Sequence, residues 1–424
     1  MVVSTSELAV LVFVVLCLSI PTCCLSSQGI FDQHVALFVF GDSLFDPGNN
    51  YINTTTDFQA NHWPYGQSYF NPPTGRFSDG RLIPDFIGEQ YPKSYQLVFP
   101  SSFRHSLPYH NTMPLDAAEY AGLPLVPAYL EPGNNEFTHG ANFASGGAGA
   151  LIDSHAGFVV DLQTQLQYFG NLVNHYKQSL GDTKAQQLLS NAVYLFSCGA
   201  NDYQKPVVNH HSIFHPYTHE QYVDMVIGNL TNVIQGIHEK GGRKYGFVTA
   251  PLIGCWPGIR MRQPGNTCSV ETDDITRLHN QKLSRKLKKL EKEFEGFMYA
   301  KFDISTSINN RMKNPSKYGF KEGEIACCGS GPFRGIYSCG GIRGIKEYEV
   351  CENSSEYLFF DSFHPNEVAS RQFAEIFWNG DSKITEPYNL KALFEGTHLT
   401  FTKKKRQLSV KFYGLNEGFL VCTL

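Results

Sequence analysis

Val35–Asn50, VALFVFGDSLFDPGNN, is the stretch from which the fold is read. Val35 to Phe40 is a continuous apolar run, and it stops at Gly41-Asp42-Ser43. A short apolar run ending in a glycine turn and a polar cluster reads as a buried parallel strand that brings its C-terminal end to a site. In open α/β sheets that edge is where ligands bind. Gly-Asp-Ser is also ordinary turn composition. Whether Ser43 is a nucleophile therefore depends on what the rest of the chain supplies.

Outward from this stretch, apolar runs alternate with helical periodicity. Helices are expected over 82–89, 161–180, 183–190, 219–240, 272–294, 304–313 and 366–378, and strands near 140, over 192–197, 244–250 and 297–302, and at 357–360. Strands alternating with helices argue a parallel sheet covered on both faces, an α/β protein. No linker, internal repeat or low-complexity tract divides it, so a single domain is expected over 30–395. The Gly/Pro/aromatic segment from Asn49 to Asp79 has no periodicity of its own and reads as a functional loop or lid. Within it, His62-Trp63 could border a site. Gly140 to Ala150 is glycine-rich, but Gly-x-Gly-x-x-Gly and the phosphate-loop Lys-Ser/Thr ending are both absent. Close backbone approach to a ligand is the better reading.

Both ends differ from the middle. Leu8 to Ile20 is apolar but for Ser19 and too short to span a bilayer comfortably, and small polar residues follow. Residues 1–26 read as a secretory signal peptide, and no other segment is long and apolar enough to span. Residues 396–424 carry five Lys/Arg against one Glu on a chain of net charge -4. They read as a disordered addition. The acidic balance gives no reason to expect a nucleic-acid partner, and the Lys/Arg-rich face of the 272–294 helix reads as solvated.

An extracellular or cell-wall location makes disulfides, rather than zinc, the expected use of Cys255, Cys268, Cys327, Cys328, Cys339 and Cys351. Their pairing stays open. Cys198, in an apolar strand, reads as a buried free thiol. Asn53, Asn229 and Asn353 each head an Asn-x-Ser/Thr triplet and are candidate glycosylation sites.

Four polar clusters stand just past apolar runs: Ser43, Gly146, Asn201, and Asp361 with His364. Their types are those of acyl transfer. A serine hydroxyl needs a base, and an imidazole titrates near working pH. Asp361, three residues before His364, can orient that ring and stabilise its cation. The N–H groups of Ser43 and Gly146 and the Asn201 amide could bind an oxyanion. Asp42 is expected to order the turn. No Gly-x-Ser-x-Gly elbow occurs, which removes the usual support for an α/β-hydrolase.

These blocks carry a resemblance. Phe38 to Ser43 with Asp46-x-Gly48-Asn49-Asn50, then Pro72-x-Thr74-Gly75-Arg76-Phe77-Ser78-Asp79-Gly80, Asn142 to Gly146, Gly199 to Asp202, Cys327-Cys328-Gly329, and Asp361 to Pro365 resemble the successive blocks of the plant GDSL esterase/lipase family of SGNH hydrolases. The sequence looks closest to its secreted branch that includes pathogen-induced lipases. The resemblance implies a flavodoxin-like α/β/α sandwich and no metal or organic cofactor. It implies Ser43 as nucleophile, Asp361 and His364 as its partners, and Gly146 and Asn201 as oxyanion donors. A secreted serine esterase or lipase acting on acyl esters or lipids is expected. Deacetylation of cell-wall polysaccharide is the alternative, with His62-Trp63 and Tyr129 as sugar-stacking candidates. A catalytically idle wall-binding protein is a third reading, against which the intact residue set argues.

Overall fold

Leu37–Gly41 forms strand β1, with every residue buried. Successive side chains of a strand point to opposite faces. Phe38 and Phe40 accordingly enter one hydrophobic cluster and Leu37 and Val39 another. A strand apolar on both faces must be covered on both, and this alternation sets the layers of the molecule. The structure is a computed structural model that describes residues 35–53, 58–88, 123–133, 137–208 and 216–396. The signal-peptide reading and all of the basic tail but Gly396 lie outside the described residues.

The other central strands are β2 (Gly140–Asn142), β3 (Val193–Ser197), β4 (Lys244–Val248), β5 (Met298–Phe302) and β6 (Thr385–Pro387), in the order β6-β5-β4-β3-β1-β2. Strands β1 to β5 are mutually parallel. Helices Leu162–Leu180, Asp182–Asn191, His219–Glu239 and Val270–Glu293 cover the Phe38/Phe40 face. Helices Ile83–Gly88, Ile304–Lys313, Glu367–Asn379 and Leu390–Glu395 cover the other. The result is the expected α/β/α sandwich, with the 2-1-3-4-5 order of doubly wound flavodoxin-like sheets. A row of rings crosses the strands: Phe143 on Phe40, Phe40 on Phe196 and Phe196 on Phe247, with centroids 5.0, 5.2 and 5.2 Å apart. These phenylalanines serve the core.

Three features depart from the sequence reading. The sheet is not wholly parallel, because β6 runs antiparallel to β5 at the edge. Pro387 is tolerated in β6 because an edge strand leaves one row of N–H groups unpaired. Strand Tyr357–Phe359 does not join the central sheet, and pairs instead with Glu322–Ala326 in a separate two-stranded ladder. The Val270–Glu293 helix starts two residues before the periodicity suggests, where the Ser269 hydroxyl caps it by accepting from Thr272 N–H.

Cysteine pairing, open at the sequence level, is Cys255–Cys268, Cys327–Cys351 and Cys328–Cys339. Cys198 is free and buried. Among the described residues no helix is long and apolar enough to cross a membrane.

Candidate active site

The sheet order reverses between β1 and β3, which opens a crevice beyond their C-terminal ends. Ser43 enters it from β1 because the backbone there is tightly held. Gly41 has φ +134°, and a Cβ on it would lie 1.9 Å from the Ser197 carbonyl oxygen of β3, so only glycine fits. The buried Gln165 side chain accepts from Gly41 N–H at 2.8 Å and donates to its carbonyl at 2.9 Å. Asp42 N–H donates to Ser197 O at 3.0 Å. The Asp42 carboxylate accepts from Leu44 N–H at 3.1 Å and from the Ser197 hydroxyl at 3.0 Å. Phe45 N–H closes the turn onto Asp42 O at 3.0 Å. Asp42 thus orders the turn, and burial pushes its carboxyl up to about 7. Ser43 sits on this turn rather than at the head of a helix, since the next helix begins at Asn49.

Asp361 and His364 reach the same crevice from outside the sheet. After Tyr357–Phe359 the chain folds back, with Phe360 N–H on His364 O at 2.8 Å and Asn366 N–H on Leu358 O at 3.1 Å. One carboxylate oxygen of Asp361 accepts from the N–H groups of Phe363 and His364, both at 2.9 Å. His364 Nδ1 lies 2.7 and 2.9 Å from the two oxygens, and Nε2 lies 2.8 Å from Ser43 Oγ. A ring nitrogen facing a carboxylate carries the proton, which leaves the Nε2 lone pair aimed at the serine hydroxyl. Burial alone would raise the Asp361 carboxyl. The neighbouring His364, its hydrogen bond, and those from Tyr65 and Phe363 outweigh this and hold it below its ordinary value. The Phe77 ring packs 5.0 Å from the imidazole.

The expected oxyanion donors are placed less simply. Asn201 lines the cleft, and its side-chain amide donates to Ala148 O at 2.9 Å. That bond fixes its orientation and leaves one of its two hydrogens for a ligand. The Gly146 N–H is committed to Asp46 Oδ2 at 2.7 Å, and a Cβ there would meet the Phe77 ring at 2.4 Å. The glycine that lines the cleft is its neighbour Gly147, with φ +85°. The discrepancy arises because the turn after β2 is braced from the β1 loop. Asp46 also accepts from Gly48 and Asn49 N–H, at 2.8 and 2.7 Å. Asn49 donates to Asn142 O and Ala144 O, and Asn50 to Gly146 O. Burial raises the Asp46 carboxyl to about 6 against these bonds.

Sequence reasoning missed Gln165 and Tyr65. Nothing in a helix pattern marks one glutamine as a clamp on a turn 124 residues away. Tyr65, fully buried in the aromatic loop, donates its hydroxyl to Asp361 Oδ2 at 2.7 Å. It packs with Ala60, Phe77, Phe360 and the half-cystines 327, 328 and 339 in a small third core, so two of the disulfides back the site. Arg76–Asp85 and Arg81–Glu367 ion pairs, at 2.7 and 2.6 Å, bolt the same segment to helices, which makes it a fixed wall. His62 stands behind Tyr65, 5.2 Å from its ring, with burial lowering its imidazole to about 4. Trp63 is 61% exposed, Tyr129 packs on Phe143 and Tyr168, and none of the three lines the cleft.

The cleft itself has a volume of about 240 Å³. Leu44, Phe77, Ile253, Trp256, Tyr337 and Phe363 give it largely apolar walls. Among the described residues no group of His, Cys, Asp and Glu is placed to hold a metal ion. Of the sequon asparagines, Asn353 is exposed and its Oδ1 accepts from the Ser355 hydroxyl at 2.7 Å. Asn229 is half-buried on a helix, with its amide on Met225 O at 2.9 Å. The Asn53 side chain, Thr54 and Thr55 lie outside what the structure describes.

A family profile described as GDSL-like Lipase/Acylhydrolase matches residues 37–377. A protein named GDSL lipase from Tanacetum cinerariifolium is 65% identical over 398 residues, covering 93% of this chain and 97% of its own. GDSL esterase/lipase 1 and GDSL esterase/lipase 5 of Arabidopsis thaliana are 46% and 44% identical, over 88% and 85% of this chain and 93% and 87% of theirs.

Proposed function

The chain belongs to the plant GDSL esterase/lipase family and is an ester-hydrolysing enzyme, and from that premise we propose that it works through Ser43, His364 and Asp361 by way of an acyl-enzyme. In the first half-reaction Ser43 Oγ bonds to the ester carbonyl carbon while its proton passes to His364 Nε2. The carbonyl oxygen becomes an oxyanion, received by the Ser43 N–H, the free hydrogen of the Asn201 amide, and Gly147 in place of Gly146. Collapse breaks the bond to the alcohol oxygen, which takes the proton from His364. In the second half a water gives its proton to the same nitrogen and bonds to the acyl carbon, and Ser43 leaves with the proton returned. Asp361 holds the imidazole in the required tautomer and stabilises its cation throughout.

The observation that carries this reading is the continuous chain from Asp361 through His364 to Ser43, at 2.7 and 2.8 Å. The small volume and apolar walls favour acyl esters with a short acyl chain. Secretion is part of the proposal. It is supported by the apolar leader and by three disulfides, which belong to oxidising compartments. Glycosylation is proposed at Asn53, Asn229 and Asn353, with exposed Asn353 the site of easiest access.

The test is hydrolysis of 4-nitrophenyl esters of graded chain length beside acetylated xylan, together with labelling by a fluorophosphonate. Ser43→Ala should lose turnover on the order of 10⁶-fold and all labelling while keeping its thermal unfolding transition. Retention of most activity would remove Ser43 from the mechanism. Turnover of xylan acetate alone would move the substrate to polysaccharide.

A further inference from the structure

The cleft that holds Ser43 and His364 is also lined by a guanidinium that the acyl-transfer steps do not use, that of Arg262. It is half-buried, and one of its nitrogens donates to Gly258 O. The group also lies 5.6 Å over the Phe363 ring. Among the described residues no carboxylate pairs with it. Arg76, Arg81, Arg260 and Arg334, by contrast, each meet an Asp or Glu at 3.0 Å or less. The carboxylate that shares the cleft, Asp42, is spent on Leu44 N–H and the Ser197 hydroxyl. Removal from water lowers the Arg262 guanidinium below its ordinary value. An arginine carries five donors in a planar fork, and here most of them are uncommitted.

The segment that carries Arg262 is rigid. The Cys255–Cys268 disulfide closes the loop around it. Arg262 N–H donates to Ile259 O at 3.0 Å, and Gly258 N–H donates to Ser362 O at 2.9 Å, between Asp361 and Phe363. A Cβ on Gly258 would lie 2.3 Å from the Phe363 ring, so this loop and the catalytic loop are in direct contact. A half-buried cation held in fixed register with the base is poised to bind an anion, not to solvate itself.

We propose that Arg262 is an anion subsite, and that the preferred esters of this enzyme carry a carboxylate close to the scissile bond. This rests on the reading of Ser43 as the esterase nucleophile. A charge-assisted bond from an arginine fork to a carboxylate is worth roughly 10- to 100-fold in affinity. The experiment compares kcat/KM for matched pairs. 4-Nitrophenyl hemisuccinate against the butyrate puts the charge on the acyl side, and 4-acetoxybenzoate against phenyl acetate puts it on the alcohol side. The charged-to-neutral ratio in one pair should fall tenfold or more in Arg262→Gln, and Arg262→Lys should keep part of it. A smaller fall in both pairs overturns the proposal. An Arg262 that merely supports the fold, or that assists the oxyanion, would lower all four substrates together and leave both ratios in place. Binding is read separately by calorimetry with 4-nitrophenyl hemisuccinate, the butyrate, and 4-acetoxybenzoate on Ser43→Ala and on Ser43→Ala/Arg262→Gln. A charged-ester preference in the first that is lost in the second supports the subsite even where no ester is turned over. Equal binding of charged and neutral esters overturns it. Absence of turnover by the wild type strikes only the esterase reading.

Discussion

Replacing Tyr65 by Phe removes one oxygen from the site and nothing else. The ring keeps its edge contact with His62 at 5.2 Å, the Arg343 guanidinium 5.2 Å above it, and its place in the small third core. What disappears is the 2.7 Å bond to Asp361 Oδ2, together with the hydrogen bond that the Arg343 guanidinium makes to the same hydroxyl. Burial and its neighbours push the phenol well above its ordinary value, so it is a neutral donor at every working pH. A hydrogen bond to a charged group contributes about 1.5–3 kcal/mol, and 1.36 kcal/mol is tenfold in rate, so the ceiling is roughly 10- to 150-fold. Asp361 keeps the N–H groups of Phe363 and His364 and the imidazole. The expected loss therefore sits at the lower end, about tenfold in kcat. KM should hold, since Tyr65 does not line the cleft.

A pH signature separates this role from a merely structural one. The Asp361 carboxyl is held below its ordinary value, so its contribution is present above the unfolded value of ~3.9 and is lost as pH falls through the folded one. The Tyr65 hydroxyl is one of the groups that depress it, so Tyr65→Phe raises it. The acid limb of kcat and the acid unfolding midpoint should both move to higher pH. The assay is kcat and KM for a 4-nitrophenyl ester across pH, beside acid unfolding followed by circular dichroism. A variant with kcat within twofold of wild type and an unmoved acid limb would refute the argument that Tyr65 positions the carboxylate.

Two further perturbations test the presentation of Ser43. Gly41→Ala places a Cβ against the Ser197 carbonyl at a φ of +134°, which combines overpacking with backbone strain of ~1–3 kcal/mol each. It should lose about 3 kcal/mol or more in denaturant unfolding, and a loss under 1 kcal/mol would show that β1 and β3 can separate freely. Asn201→Ala removes one of the proposed oxyanion donors and should lower kcat ~10²–10³-fold with KM and unfolding nearly unchanged. An effect confined to KM would place Asn201 in ground-state binding instead.

Much of this protein is legible along the chain. The run Leu37 to Phe40 is apolar without interruption, so it must be buried on both faces, and that alone implies a covered sheet. Serine, histidine, aspartate and asparagine at the ends of such runs are the residue types that acyl transfer uses. Local propensity also marks the helices, whose caps Asp161 and Asn366 sit where the periodicity begins. What the chain order hides is contact between distant segments. Gly146 and Gly147 are indistinguishable in a glycine run. Only the brace from Asp46 decides which N–H is spent and which glycine faces the cleft. The route of Asp361 and His364 into the site through a separate ladder, the Tyr65 and Gln165 bonds, and the unpaired Arg262 have the same origin. Each depends on a partner outside its own segment or, among the described residues, on the absence of one, and hydrogen bonds of a few ångströms are set by tertiary packing, which periodicity and composition do not encode.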